Sequence, residues 1–123
     1  MAIKKLTPII NVSTIEPMLG FWQAIGFEVT TEVPHEDALG FVILAKDGVE
    51  VMYQSTASIV ADVPALERAG TSEVFFIETD DLAAIEQALE SHEVVVPKRT
   101  TFYGSTEVFY RAPCGTVVGF AQF

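Results

Sequence analysis

Few side chains in this sequence are equipped for chemistry, and their spacing decides what they can do. The segment Val49-Glu50-Val51-Met52-Tyr53-Gln54 reads as a strand, and a strand sends successive side chains to opposite faces. Glu50, Met52 and Gln54 therefore share one face, and Val49, Val51 and Tyr53 the other; polarity assigns the first set to a groove. A carboxylate on an otherwise apolar strand is costly if buried unpaired, so Glu50 belongs at a wet groove or beside a partner. Other reactive types are sparse. His35 lies in the acidic stretch Pro34-His35-Glu36-Asp37, and His92 ends the second expected helix, where the dipole favours a cation. Both read as surface groups. Cys114 is the single cysteine and sits in a turn with no neighbouring base, so neither an internal disulfide nor a nucleophile is expected. No Ser/His/Asp set has triad spacing, and no Cys/His set has that of structural zinc.

The elements that position these groups repeat. Asp47-Gly48 is a strong hairpin signal between Phe41 to Ala45 and Val49 to Gln54. Pairing through that turn places Ala45, Ile43 and Phe41 beside Glu50, Met52 and Gln54 on the same face. Upstream, Leu6 to Val12 reads as a strand, and Ser13 with Glu16 forms a capping-box pattern opening a helix. Met18, Leu19, Phe21, Trp22 and Ile25 recur at helical spacing, with Phe21 and Trp22 expected in the core, until Gly26 ends the helix. Phe27 to Val33 alternates as a strand and completes one βαβββ unit. Residues 55–72 read as a connection with a short helical turn around Ala65 to Arg68.

A second copy follows. Glu73 to Thr79 is its first strand, Asp80-Asp81 opens a helix carrying Leu82, Ile85 and Leu89, and Val94 to Val96 is a strand ending before Pro97. Glu107 to Ala112 and Thr116 to Phe123 are strands joined by Pro113-Cys114-Gly115. Corresponding elements lie about 67 positions apart, as an internal duplication requires. The expectation is a single α+β domain over 1–123, with tandem βαβββ units at about 1–54 and 73–123. Their strands form a curved sheet with a concave groove, and the helices cover its outer face.

Composition narrows the ligand. The chain has 123 residues, half of them hydrophobic, enough for a core without staples. Its apolar runs are far short of the roughly 20 residues that cross a bilayer, and no secretory signal is recognisable, so a cytoplasmic protein is expected. Seven basic against seventeen acidic residues give a charge of −10, which repels nucleic acid and favours a cationic ligand.

The segment Pro8-Ile9-Ile10-Asn11-Val12-Ser13-Thr14-Ile15-Glu16-Pro17-Met18-Leu19-Gly20-Phe21-Trp22, followed by Ile25-Gly26-Phe27, resembles the start of bleomycin-resistance proteins in the glyoxalase/dioxygenase, or vicinal oxygen chelate, superfamily. Phe102-Tyr103-Gly104-Ser105-Thr106-Glu107-Val108 and Arg111-Ala112-Pro113-Cys114-Gly115 resemble its second signature. Enzymes of that superfamily hold a divalent metal on four strands. The resemblance carries those positions to Thr7, Glu50, Val74 and Gly119, of which only Glu50 could bind a metal, whereas open catalytic sites generally need three protein ligands. No metal or other cofactor, and no catalytic residue, is therefore expected.

What the resemblance implies is a metal-free protein that sequesters a cationic or aromatic compound, possibly an antibiotic of the bleomycin type. The alternative is a metal-dependent lyase, isomerase or dioxygenase of the same superfamily. In the binding reading Phe41, Phe76, Phe102, Tyr103 and Tyr110 offer aromatic walls, Met52 lies among them, and Glu50, Gln54 and Glu107 offer charge and hydrogen bonds. The resemblance also implies a homodimer whose groove is shared between chains, with the first strand exchanged at a hinge near Pro8.

Overall fold

The computed structural model describes residues 1–2, 5–67 and 73–123. These form two compact units, each a four-stranded mixed sheet with helices, in an α+β arrangement of repeated βαβββ type. The N-terminal unit runs β1 (Ile9–Val12), α1 (Glu16–Ala24), β2 (Glu28–His35), β3 (Ala38–Lys46), β4 (Val49–Ser55) and α2 (Thr56–Asp62), then a 3-10 turn at Pro64–Leu66. The C-terminal unit runs β5 (Val74–Glu78), α3 (Leu82–Ala88), β6 (Glu93–Thr100), β7 (Thr106–Arg111) and β8 (Val117–Gln122). The sheet orders, β1-β4-β3-β2 and β5-β8-β7-β6, are the same order twice. In each unit the first strand runs parallel to the fourth: Ile9 pairs with Met52, and Phe76 with Gly119. Ile9 and Phe76 stand 67 positions apart, as do Met52 and Gly119, so the repeat preserves ladder register as well as strand order.

Local sequence explains the elements and also where they differ from expectation. Asp47 and Gly48 both adopt positive φ, 52° and 79°, the combination that a tight two-residue hairpin requires. The capping box at Ser13 does not form. α1 begins at Glu16, with Ile15 at the N-cap and Pro17 in the first turn, where its missing N–H costs nothing. The Glu16 carboxylate instead accepts from the backbone N–H of Leu39 at 2.8 Å, and this bond holds its pKa below the ordinary value. The connection holds more helix than expected, because Ser55 caps α2 by accepting from the Ser58 N–H at 3.2 Å. The turn expected around Ala65 to Arg68 is met in part by Pro64–Leu66, while Arg68 lies outside the described residues. β6 continues through Pro97 rather than ending before it, which an edge strand with irregular register tolerates.

In the N-terminal unit the core is one face of the sheet against α1. Val42, Leu44, Val51 and Tyr53 are buried there with Met18, Phe21 and Trp22. The Trp22 Nε1–H donates to the Tyr53 hydroxyl at 2.7 Å, joining helix to sheet inside the core, and Phe27 packs edge-on against Trp22 at 4.8 Å. In the C-terminal unit Val108, Tyr110, Val118 and Phe120 are buried with Leu82 and Leu89. α3 is capped by Asp81, which accepts from the Ala84 N–H at 3.1 Å.

Replacing Tyr53 by Phe strands the buried Trp22 N–H. Urea denaturation of Tyr53→Phe is expected to show a loss of about 1–2 kcal/mol.

Candidate functional site

Each sheet has a second face, set by strand alternation and opposite its core. In the N-terminal unit it carries Glu50, Met52 and Gln54 on β4, with Ala45, Ile43 and Phe41 directly across on β3 and Ile9 and Asn11 alongside on β1. None of these eight is fully buried. The structure thus brings together the four residues of this unit that the sequence placed at the groove: Phe41, Glu50, Met52 and Gln54. Glu50 has partners within its own unit. Lys5 Nζ lies 2.9 Å from Oε1, the Thr7 hydroxyl donates at 3.4 Å, and the Glu50 side chain remains 21% exposed. Gln54 donates to the Ser58 hydroxyl at 3.1 Å.

In the C-terminal unit the corresponding face carries Val74, Phe76 and Glu78 on β5, Gly119 and Ala121 on β8, and Glu107, Phe109 and Arg111 on β7. Phe76 is about half exposed and meets Phe109 at 6.3 Å between ring centroids. Gly119 makes this possible: a Cβ there would fall 2.4 Å from the Phe109 ring, so the ring lies across β8 only because no side chain stands in its way. Phe109 escaped the sequence reading, although its place two residues from Glu107 gives it the same face. The same rule corrects Tyr110. An odd offset from Glu107 turns it to the α3 face, where it is 3% exposed and packs against Phe120 at 6.0 Å. Burial and the negative charge of Glu86 push its hydroxyl pKa up. Tyr110 is a core residue, remote in orientation from Phe76 and Glu107.

Glu107 also differs from expectation, because it has no exposed surface to offer a ligand. Arg99, its cross-strand partner, reaches Oε1 through Nη2 at 2.7 Å and Nε at 3.2 Å. The Tyr103 hydroxyl lies 2.9 Å from both carboxylate oxygens, and the Ser105 hydroxyl donates to Oε2 at 3.0 Å. Burial pushes the Glu107 pKa up, but the bonds from Arg99, Tyr103 and Ser105, with the Arg99 charge, outweigh it and hold the carboxyl below its ordinary value. The contact with Glu107 in turn pushes the Arg99 pKa up. The β6–β7 loop is closed around this centre. Thr101 and Ser105 hydroxyls are 2.8 Å apart, the Thr101 N–H donates to the Ser105 carbonyl at 2.8 Å, and Gly104 takes φ of 93°. Out of that loop project Phe102, fully exposed, and Tyr103, whose ring lies edge-to-face with Phe102 at 5.2 Å and 6.4 Å from Phe123.

The superfamily's metal positions can be tested on donor chemistry. By ladder register the repeat partner of Glu50 is Val117, two residues before the Gly119 that the motif alignment selected, and Val74 is the partner of Thr7. Neither valine nor glycine supplies a side-chain donor, so the residues present do not fit a chelated divalent ion. Among the described residues no three His, Cys, Asp or Glu side chains converge as a metal site. His35 ends β2 half-buried, and Cys114 is exposed beside the Thr116 hydroxyl at 3.1 Å. Among the described residues no helix is long and apolar enough to cross a membrane.

No protein-family model matches the sequence, and no curated protein matches it. Solved structures do match. The bleomycin-binding protein complexed with bleomycin is similar at TM-score 0.69 and 16% identity, covering 98% of this chain and 99% of that one. Lactoylglutathione lyase from Agrobacterium tumefaciens is similar at TM-score 0.74 and 17% identity, with 97% and 92% covered. TioX from Micromonospora sp. ML1 is similar at TM-score 0.79 and 14% identity, with 97% and 98% covered. The chain therefore has the vicinal oxygen chelate fold, shared by glyoxalases, bleomycin-resistance proteins and dioxygenases. At these identities the likeness is one of fold.

The Glu107 cluster gives a pH signature. Its folded-state pKa lies below the unfolded value, so the carboxylate adds stability above the ordinary value of 4.5 and loses it as pH falls toward the folded value. In urea melts Glu107→Gln is expected to be less stable than the parent at pH 7. Its midpoint is expected to fall less steeply than the parent's on acidification below about pH 5.

Proposed function

We propose that this chain is a metal-free small-molecule binding protein that sequesters a cationic, partly aromatic compound. The observation that carries the reading is the second face of the N-terminal sheet. Glu50 there is a partly exposed carboxylate that shares its face with Met52, Ile43 and, further along, Phe41, in a chain of net charge −10. An apolar floor with one oriented charge is how small-molecule sites fix a ligand. The ligand's cation takes the place of Lys5 on Glu50, and its apolar part lies on Met52 and Phe41. The C-terminal unit carries aromatic surface of its own, in Phe76 with Phe109 beside it and in the loop rings of Phe102 and Tyr103. The bleomycin-binding structure of the same fold makes bleomycin the first compound to try. The donor-poor metal positions favour holding over chemistry.

The reading includes a homodimer whose groove is shared between two copies. β1 here pairs with β4 of its own chain, the Pro8 carbonyl accepting from the Met52 N–H at 3.0 Å. Exchange at Pro8 would transfer the same ladder to the second copy. Light scattering at micromolar concentration is expected to give twice the chain mass.

The deciding experiment is calorimetric titration of chelator-dialysed protein with bleomycin and a panel of cationic aromatic compounds. Binding without divalent metal is expected, and Glu50→Gln should weaken the cationic members about fivefold, as for an ion pair worth about 1 kcal/mol. If the purified protein carries stoichiometric divalent metal whose removal abolishes binding or turnover, the enzyme reading replaces this one.

A further inference from the structure

We propose that the rings of Phe102, Tyr103 and Phe123 form an aromatic corner that binds an alkylated ammonium group. The inference takes the sign of the ligand's charge from the function proposed above, and its chemical class from the corner itself.

Three large rings stand in water within one unit: Phe102 is 100% exposed, Phe123 63% and Tyr103 46%. Clustered apolar surface of this kind marks a place of contact. The geometry selects what is contacted. Phe102 and Tyr103 meet at an interplanar angle of 84°, so no flat ring can be sandwiched between them. Phe123 is tilted at 39° to Tyr103 at 6.4 Å, adding a third surface to the corner. Neighbouring rings at steep angles suit a compact cation rather than a flat ring, since each face presents the negative end of its quadrupole.

The polar groups nearby narrow the class further. A primary ammonium is strongly hydrated and needs acceptors when it leaves water. The Glu107 carboxylate, bonded to Tyr103, cannot serve, because it has no exposed surface and is engaged by Arg99, Tyr103 and Ser105. A cation without N–H donors, or with few, loses nothing by that. The Arg99 charge is balanced by Glu107 at 2.7 Å, and Lys98 by Glu86 at 3.0 Å, leaving the acidic balance of the chain to set the local sign. Tyr103 donates its proton toward both Glu107 oxygens, which raises electron density on its ring and strengthens the face. Glu107 is thus a positioning residue for Tyr103. Beside Phe123 lies an open depression of about 430 Å³, lined by Leu82, Lys98, Thr106 and Gln122, with room for the rest of a ligand.

The test is NMR titration with choline, its neutral isostere 3,3-dimethylbutan-1-ol, and ethanolamine, following the ring protons of Phe102 and Tyr103. Choline is expected to bind at least threefold more tightly than either of the others. Tyr103→Ala and Phe102→Ala should each weaken it roughly threefold to thirtyfold, whereas Tyr103→Phe, which keeps the ring, should weaken it less. Equal affinity for choline and the neutral isostere, no choline binding at millimolar concentration, or indifference to Tyr103→Ala overturns the corner. If bleomycin and the cationic panel bind in any of those cases, the proposed function stands without it. If choline binds as expected and the panel does not, the corner stands and that wider reading fails.

Discussion

The sheet faces that could meet a ligand depend on the two-residue period of the β-strand. Once Val51 and Tyr53 are committed to the core against Trp22, Glu50, Met52 and Gln54 have no choice of face. The ladder then transmits that choice across β3 to Phe41 and Ile43, and across β1 to Ile9 and Asn11. The repeat copies the same constraint into the second sheet, where Tyr110 is committed inward and Phe109 outward. A functional face of this kind is specified by what the core takes away from it.

The two units use their carboxylates in opposite ways. Glu50 keeps part of its surface and has one half-exposed cationic partner, Lys5, so its charge can be exchanged between a protein cation and another. Glu107 is surrounded by donors and shut from solvent, and its charge is spent on organising the loop that carries Phe102 and Tyr103. Both lie on second faces, yet only the first is electrostatically available. Counting acidic residues would treat them alike; counting hydrogen bonds separates them.

Much of the architecture was legible because the strongest signals were local. Asp47-Gly48 fixes a hairpin by backbone conformation alone, and the spacing of Met18, Phe21 and Trp22 fixes the buried stripe of α1. Phe41, Glu50, Met52 and Gln54 could be placed on one face because hairpin register follows from the turn. What escaped depended on partners distant in sequence. Local spacing makes Glu16 a capping residue, but its carboxylate satisfies Leu39 on another element. Glu107 looks like a ligand contact in sequence, since nothing local reveals that Arg99 will stand opposite it. Tyr110 and Glu107 share a strand, but their odd separation places them on opposite faces. α2 was missed because a seven-residue helix capped by Ser55 carries too little periodicity to stand out.

The approach of Phe109 to Gly119 also limits the routes by which this sequence can change. A Cβ at position 119 would fall 2.4 Å from that ring, so a larger residue could be installed there only if Phe109 moved aside or became smaller. A change at position 119 is therefore felt first at position 109. The glycine thus acts as a latch: what position 119 can hold is decided by the ring that lies across it.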